Sequence, residues 1–112
     1  MDIDKETQKK IQELQILEHN LHSLMIQKQA FQLELNETLN ASEEVNKTND
    51  DVYKVTGSIM HKVDKVSVLK ELEEKRNILE LRLKAIEKQE RLLELRAKEL
   101  QEEAKKTLKS KK

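Results

Sequence analysis

DVYKVTGSIMHKV, residues 51–63, is the segment in which β-branched residues cluster around a glycine. Gly57 is the only glycine of the chain, and Ser58 follows it. A glycine at the first central position suits a two-residue type II′ turn between antiparallel strands. We therefore predict a β-hairpin over about residues 52–63.

The turn also fixes which side chains of this hairpin share a face. Val55 pairs with Met60 and Tyr53 with Lys62 on one face of the hairpin. The opposite face also carries apolar side chains. An isolated hairpin is marginal in water and its edges are unpaired. We therefore predict that the hairpin assembles with other subunits; the alternative is that it packs on the helix ends of its own chain. The predicted oligomerisation residues are Val52, Tyr53, Val55, Ile59, Met60 and Val63.

Heptad repeats flank the hairpin on both sides. In the first arm an apolar seam runs from Leu14 to Leu35 and is broken only by Lys28. In the second arm the d positions are apolar without interruption. They are Leu72, Leu79, Ile86, Leu93 and Leu100, while Ile11, Met25 and Leu39 are expected to widen the first seam. With no proline in the chain, the pattern predicts helices over about 3–48 and 65–108, the second capped by Asp64 or Ser67.

The two arms have nearly equal length, which favours folding back at the hairpin. Seam residues then face each other in pairs: Val45 and Leu69, Leu35 and Leu79, Leu21 and Leu93, Leu14 and Leu100. The alternative is two parallel inter-chain coiled coils with a hinge. We predict a mainly α fold, an antiparallel two-helix coiled coil joined by a β-hairpin that assembles into an inter-subunit β-barrel, as one domain over residues 1–112.

Composition narrows the class of protein. Ala, Glu, Lys, Leu and Arg form more than half of the chain, as is typical of coiled coils. The chain has no cysteine, which excludes disulfides and thiolate metal sites, and its formal net charge is zero. No apolar run is long enough for a membrane span, and residues 1–10 do not resemble a signal peptide. We expect a cytoplasmic protein that binds neither membrane nor nucleic acid.

The sequence contains no recognisable pattern of catalytic residues. His19 and His22 could share a metal, but no third ligand has suitable spacing, so both are interpreted as solvated. The segment Val55–Ser58 lacks the second glycine and the lysine of a phosphate-binding loop. We predict no enzyme activity, no catalytic residue, no metal and no cofactor.

Several segments resemble the β-type subunits of the prefoldin family. The first helix does so at Ile11–Gln15, Gln27–Gln29 and Leu33–Glu37, and the second at Leu79–Leu83 and Ile86–Glu90. Heptads alone are a weak signal. The Val-Tyr-Lys…Gly pattern within 51–57 is more specific, because it is centred between equal arms. The resemblance covers about residues 10–104; Thr56 replaces a common valine, and the proline often seen near the N-terminus is missing.

The resemblance implies a fold, partners and an activity. Prefoldins are hexamers of two α-type and four β-type subunits, whose hairpins form a barrel platform with six coiled coils hanging from it. The coil ends hold unfolded client proteins without ATP and pass them to a group II chaperonin. A single hairpin matches the β type. The competing hypothesis is a coiled-coil structural adaptor that only joins partners.

Apolar residues lie near both chain ends, and three of them, Ile16, Leu92 and Leu95, fall outside the seam. If they form exposed apolar spots, they suit a surface that accepts varied unfolded segments. The predicted client-binding residues are Ile3, Ile11, Ile16, Leu92 and Leu95. Ile26, Leu33, Ile78 and Leu81 also lie off the seam, which leaves open that all are ordinary helix-surface residues. The lysine-rich segment 105–112 is interpreted as a frayed, solvated tail; docking to an acidic partner and weak RNA contact are the alternatives.

Overall fold

The structure of the protein, a computed structural model, describes residues 4–110, with side chains through Leu108. It consists of two long helices and a two-stranded antiparallel sheet, which confirms the predicted fold of two helices joined by a β-hairpin. The elements, in chain order, are helix α1 (Lys5–Lys47), strands β1 (Val52–Thr56) and β2 (Ile59–Val63), and helix α2 (Lys65–Ser110). Over the described residues, neither helix contains a stretch long and apolar enough to cross a membrane.

Aspartates start both helices. The Asp4 Oδ1 atom accepts a hydrogen bond from the Thr7 backbone N–H at 2.7 Å, and Asp64 Oδ2 accepts one from Ser67 N–H at 3.2 Å. Each carboxylate thus satisfies a backbone donor that has no partner within its helix. Asp64 also accepts a hydrogen bond from the Ser67 hydroxyl, so Asp64 is the cap that the sequence offered as one of two choices.

The chain divides into two compact units, each with segments of both helices. The terminal unit holds residues 4–28 and 84–110, and the hairpin unit holds Gln29–Leu83. Within each unit, every seam position predicted from the heptads is buried or half-buried. The spacing of apolar residues therefore predicted the buried face of each helix.

In the terminal unit, charged pairs cross between the helices and fix them as antiparallel. Lys10 Nζ lies 3.5 Å from Glu103 Oε2, and Arg96 Nε lies 3.2 Å from Glu13 Oε1. A third pair lies on the seam itself, where Lys28 Nζ contacts Glu90 Oε1 at 3.2 Å. The lysine that interrupts the apolar seam between Leu14 and Leu35 is thus paired with a glutamate of the α2 seam.

In the hairpin unit, the core is a small leucine cluster. It consists of Leu35, Leu79 and Leu83, with Phe31 packed against it. The Arg82 guanidinium lies 5.6 Å from the centre of the Phe31 ring and covers it as a cation–π contact. Leu35 and Leu79 therefore meet as the fold-back predicted.

Two sequence predictions about the helices differ from the structure. Met25 and Leu39 are exposed and do not widen the seam, whereas Ile11 is half-buried. Segment 105–110 belongs to helix α2, where a tail was predicted from residue 105. It has no helix breaker, Thr107 Oγ1 donates to the Glu103 carbonyl, and Lys105 and Lys106 complement the negative end of the helix dipole. The last two residues, 111–112, lie outside the described part of the chain.

Truncation of a core leucine tests the seam. Leu79 is 2% exposed, and we expect Leu79→Ala to lower the free energy of unfolding by about 2–4 kcal/mol through lost burial and a cavity. Leu81, two residues on, is 67% exposed, so Leu81→Ala should change it by less than about 0.5 kcal/mol. Chemical denaturation followed by circular dichroism, at one protein concentration, compares the two; equal losses would contradict the assigned seam.

Candidate interaction surfaces

The hairpin has the register that the sequence predicted. Val52 faces Val63, Lys54 faces His61, and Thr56 faces Ile59, with Tyr53–Lys62 and Val55–Met60 between them. Gly57 has φ 62°, and no other residue of the described chain has a positive φ. A type I′ turn would require positive φ at Ser58 as well, so this geometry fits the II′ turn.

Most apolar side chains of the hairpin face solvent. The exposed fractions are 55% for Tyr53, 66% for Val55, 66% for Ile59 and 67% for Met60. Val52 and Val63 are half-buried and line a groove of about 230 Å³, together with helix residues such as Val45 and Leu72. One strand pair at the base of the hairpin thus packs on its own helices, while four of the six predicted residues remain uncovered.

Polar contacts hold the base of the hairpin against the helices. The Lys65 ammonium donates to the carbonyls of Asn46 at 3.2 Å and Thr48 at 2.8 Å, which satisfies acceptors at the end of α1. Lys54 Nζ lies 3.5 Å from Glu71 Oε2 on α2. The role of Lys65 escaped the sequence analysis, because a lysine that begins a helix gives no sign of which carbonyls lie within its reach.

The terminal unit displays three of the residues predicted to bind clients. Ile16 is 61% exposed, Leu92 58% and Leu95 60%. Ile11 is half-buried, and Ile3 lies outside the described residues. The surroundings of the exposed residues differ: Ile16 lies in a shallow groove with Gln12, Gln15 and His19, while Leu95 lies in one with Arg91, Glu94 and Lys98.

Exposure alone does not single out these residues. The other off-seam apolar residues, Ile26, Leu33, Ile78 and Leu81, are each half exposed or more. Exposed apolar side chains therefore occur in both units and are not confined to the chain ends.

Charged and metal-ligating groups form no reactive cluster in residues 4–110. No group of three or more His, Asp or Glu side chains in this range is placed to hold a metal, and His19 and His22 are both exposed. The hydrogen bond and charge of Glu13 raise the pKa of the Arg96 guanidinium further above its ordinary value. The raised pKa is a consequence of this ion pair between the helices, and the guanidinium supplies no acid or base near neutral pH.

Comparison with known proteins identifies the family. A family model described as prefoldin subunit matches residues 8–111. The chain belongs to the prefoldin subunit family. Prefoldin subunits are chaperone subunits, and a β-type subunit implies a hetero-oligomeric prefoldin complex.

Relatives with known names agree with this. The chain is 37% identical to prefoldin subunit beta of Pyrococcus furiosus over 84 residues, which cover 73% of this chain and 72% of that protein. The same values hold for prefoldin subunit beta of Thermococcus onnurineus. The crystal structure of the prefoldin beta subunit from Thermococcus strain KS-1 matches with a TM-score of 0.89 and 34% identity, over 96% of both chains. The resemblance seen in the hairpin pattern and the helices is confirmed.

The turn glycine provides a test of the hairpin. A Cβ at Gly57 would meet no atom within 4 Å, so Gly57→Ala tests backbone strain alone. Because an L-residue at positive φ is strained, we expect the substitution to lower the free energy of unfolding by about 1–2 kcal/mol. Ser58→Ala is the matched control and should have little effect. Equilibrium denaturation measures the free energy of unfolding of both variants. An unchanged free energy of unfolding in Gly57→Ala would contradict the turn geometry.

Proposed function

We propose that this chain is a β-type subunit of a prefoldin hexamer with two α-type and four β-type subunits. In this proposal it holds unfolded proteins without nucleotide and delivers them to a group II chaperonin, in the cytoplasm. The observation that carries the proposal is a hairpin with exposed apolar side chains on both faces and with two unpaired edges.

Burial of that hairpin would contribute to the driving force for assembly. Full burial of a valine, isoleucine or methionine side chain contributes roughly 1.5–3 kcal/mol, as an upper estimate. Val55, Ile59 and Met60 are each about two-thirds exposed, so one hairpin offers several kcal/mol. Pairing of its edges with neighbouring hairpins would also satisfy the free backbone groups of both strands.

Client binding in this proposal uses the apolar residues near the chain ends, Ile3, Ile11, Ile16, Leu92 and Leu95. Single contacts of this size are weak, but several subunits acting on one unfolded chain raise the effective concentration. The chain has one glycine, which is too few for a phosphate-binding loop of two glycines. Release therefore relies on weak binding and handover.

Assembly is tested by charging the hairpin. We expect Val55→Asp with Ile59→Asp to prevent incorporation of the chain into an oligomer with a co-expressed α-type subunit while leaving most helix content intact. Leu81→Asp is the matched control, because Leu81 is also exposed but lies on α2. Native mass spectrometry reads the mass of the assembly. If the double variant forms an oligomer of unchanged mass, that result contradicts the assembly proposal.

Client binding is tested on the assembled protein. We expect Ile16→Ser, Leu92→Ser and Leu95→Ser together to weaken protection of a chemically denatured client against aggregation, in a light-scattering assay without nucleotide. The matched control is Ile26→Ser, Leu33→Ser and Leu81→Ser, which removes the same number of exposed apolar side chains. If the control variant loses more of the protection against aggregation, the client site lies nearer to Leu33 and Leu81. No protection by the intact oligomer favours a structural adaptor instead.

A further inference from the structure

The outer face of α2 in the terminal unit carries a regular row of cations. Each member directly follows a seam residue, and successive members are seven residues apart, so the row keeps to one side of the helix. We call it the basic stripe; it consists of Lys84, Arg91, Lys98 and Lys105. All four side chains are exposed.

These cations differ from those that hold the helices together. Among the described residues, none of the four forms an ion pair, whereas Lys10, Lys28 and Arg96 of the same unit each bind a glutamate. The outer face around the stripe is also basic. Between residues 84 and 106 the basic side chains on and beside the stripe are Lys84, Lys88, Arg91, Lys98, Lys105 and Lys106, and the acidic ones are Glu87, Glu94, Glu99 and Glu102, so cations outnumber acids by six to four.

Apolar side chains lie within this basic face. Leu95 shares a groove of about 330 Å³ with Arg91 and Lys98, and with one acid, Glu94. Leu92 directly follows Arg91 and is also exposed. By comparison, the groove beside Ile16 on α1 of the same unit contains no lysine, arginine or carboxylate, and Gln12, Gln15 and His19 line it instead.

We infer that this face of α2 selects unfolded protein segments in which an acidic residue recurs about every third position, with apolar residues between the acidic ones. The inference rests on the proposed client-binding function and names the class of client segment that this helix prefers. Charge complementarity supports an acidic segment, and the exposed leucines between the cations support one that also carries apolar side chains.

The spacing of the stripe sets the spacing in the client. Seven helical residues advance about 10.5 Å. An unfolded chain in the polyproline II conformation covers nearly that distance, about 9 Å, in three residues and returns every third side chain to the same side. A segment that lies along α2 in this conformation therefore meets a cation with about every third side chain. At physiological salt the screening length is about 8 Å, so each cation acts on a carboxylate close to it and the preference weakens as salt is added.

A protein segment fits this face better than a nucleic acid does. Base stacking uses aromatic side chains, and the two aromatic residues of the chain, Phe31 and Tyr53, both belong to the hairpin unit. The leucines beside Arg91 and Lys98 offer contacts to apolar side chains instead.

The experiment compares fluorescent peptides with the repeats Asp-Leu-Ser and Asn-Leu-Ser on the assembled oligomer, by anisotropy. We expect the acidic peptide to bind about three- to tenfold more tightly at low salt, as two exposed ion pairs allow, with the preference lost at high salt. Arg91→Gln with Lys98→Gln should abolish the preference. Lys5→Gln with Lys9→Gln on α1 removes the same charge and should retain it.

The outcomes separate this inference from the proposed function. Equal binding of both peptides by the intact oligomer, or a preference that survives Arg91→Gln with Lys98→Gln, overturns the inference alone. Failure to bind either peptide overturns the inference and counts against the client function as well. A further outcome is that the oligomer binds poly(U) RNA or phosphatidylserine vesicles more tightly than the acidic peptide and loses that binding in the same double variant. That result would identify a different partner for this face and would also overturn the inference.

Discussion

Burial of one narrow row of side chains along each helix is the interaction on which the rest of this chain depends. A compact core of ordinary density cannot form from 36% hydrophobic residues, but a seam between two helices can. Every seam position in the described range is buried or half-buried, including the polar Thr7 and Thr38. Since the seam uses few apolar residues, those outside it remain exposed and available for other contacts.

The exposed apolar surface is of two kinds, and the two differ in how they are presented. On the hairpin it lies beside unpaired strand edges, so a partner can gain both backbone hydrogen bonds and apolar burial. On the helices the backbone is already satisfied, and a partner gains side-chain contacts only. Stable assembly suits the first kind of surface, and weak, exchangeable contact suits the second.

Sequence reasoning predicted the seam and the hairpin register because each follows from spacing. A heptad fixes which face of a helix is buried, and a two-residue turn fixes which residues pair across a hairpin. Sequence reasoning was less accurate for side chains whose burial or contacts depend on how a second element approaches them. Ile11, Met25 and Leu39 share a position at the margin of the seam, yet only Ile11 is half-buried, since cover there depends on the side chain opposite. The contact of Lys65 with the α1 carbonyls was missed for a similar reason.

The charged pair on the seam also limits how the helices can move. Glu90 has a side chain only 16% exposed and is held by Lys28. Sliding one helix past the other by a heptad would place Lys28 beside Leu83 or Ala97 and leave a shielded carboxylate without its cation, which is unfavourable. An apolar seam of repeating leucines would tolerate such a shift far better. When force is applied along the helix axis, the Lys28–Glu90 pair therefore opposes a change of register, although the helix ends can still fray.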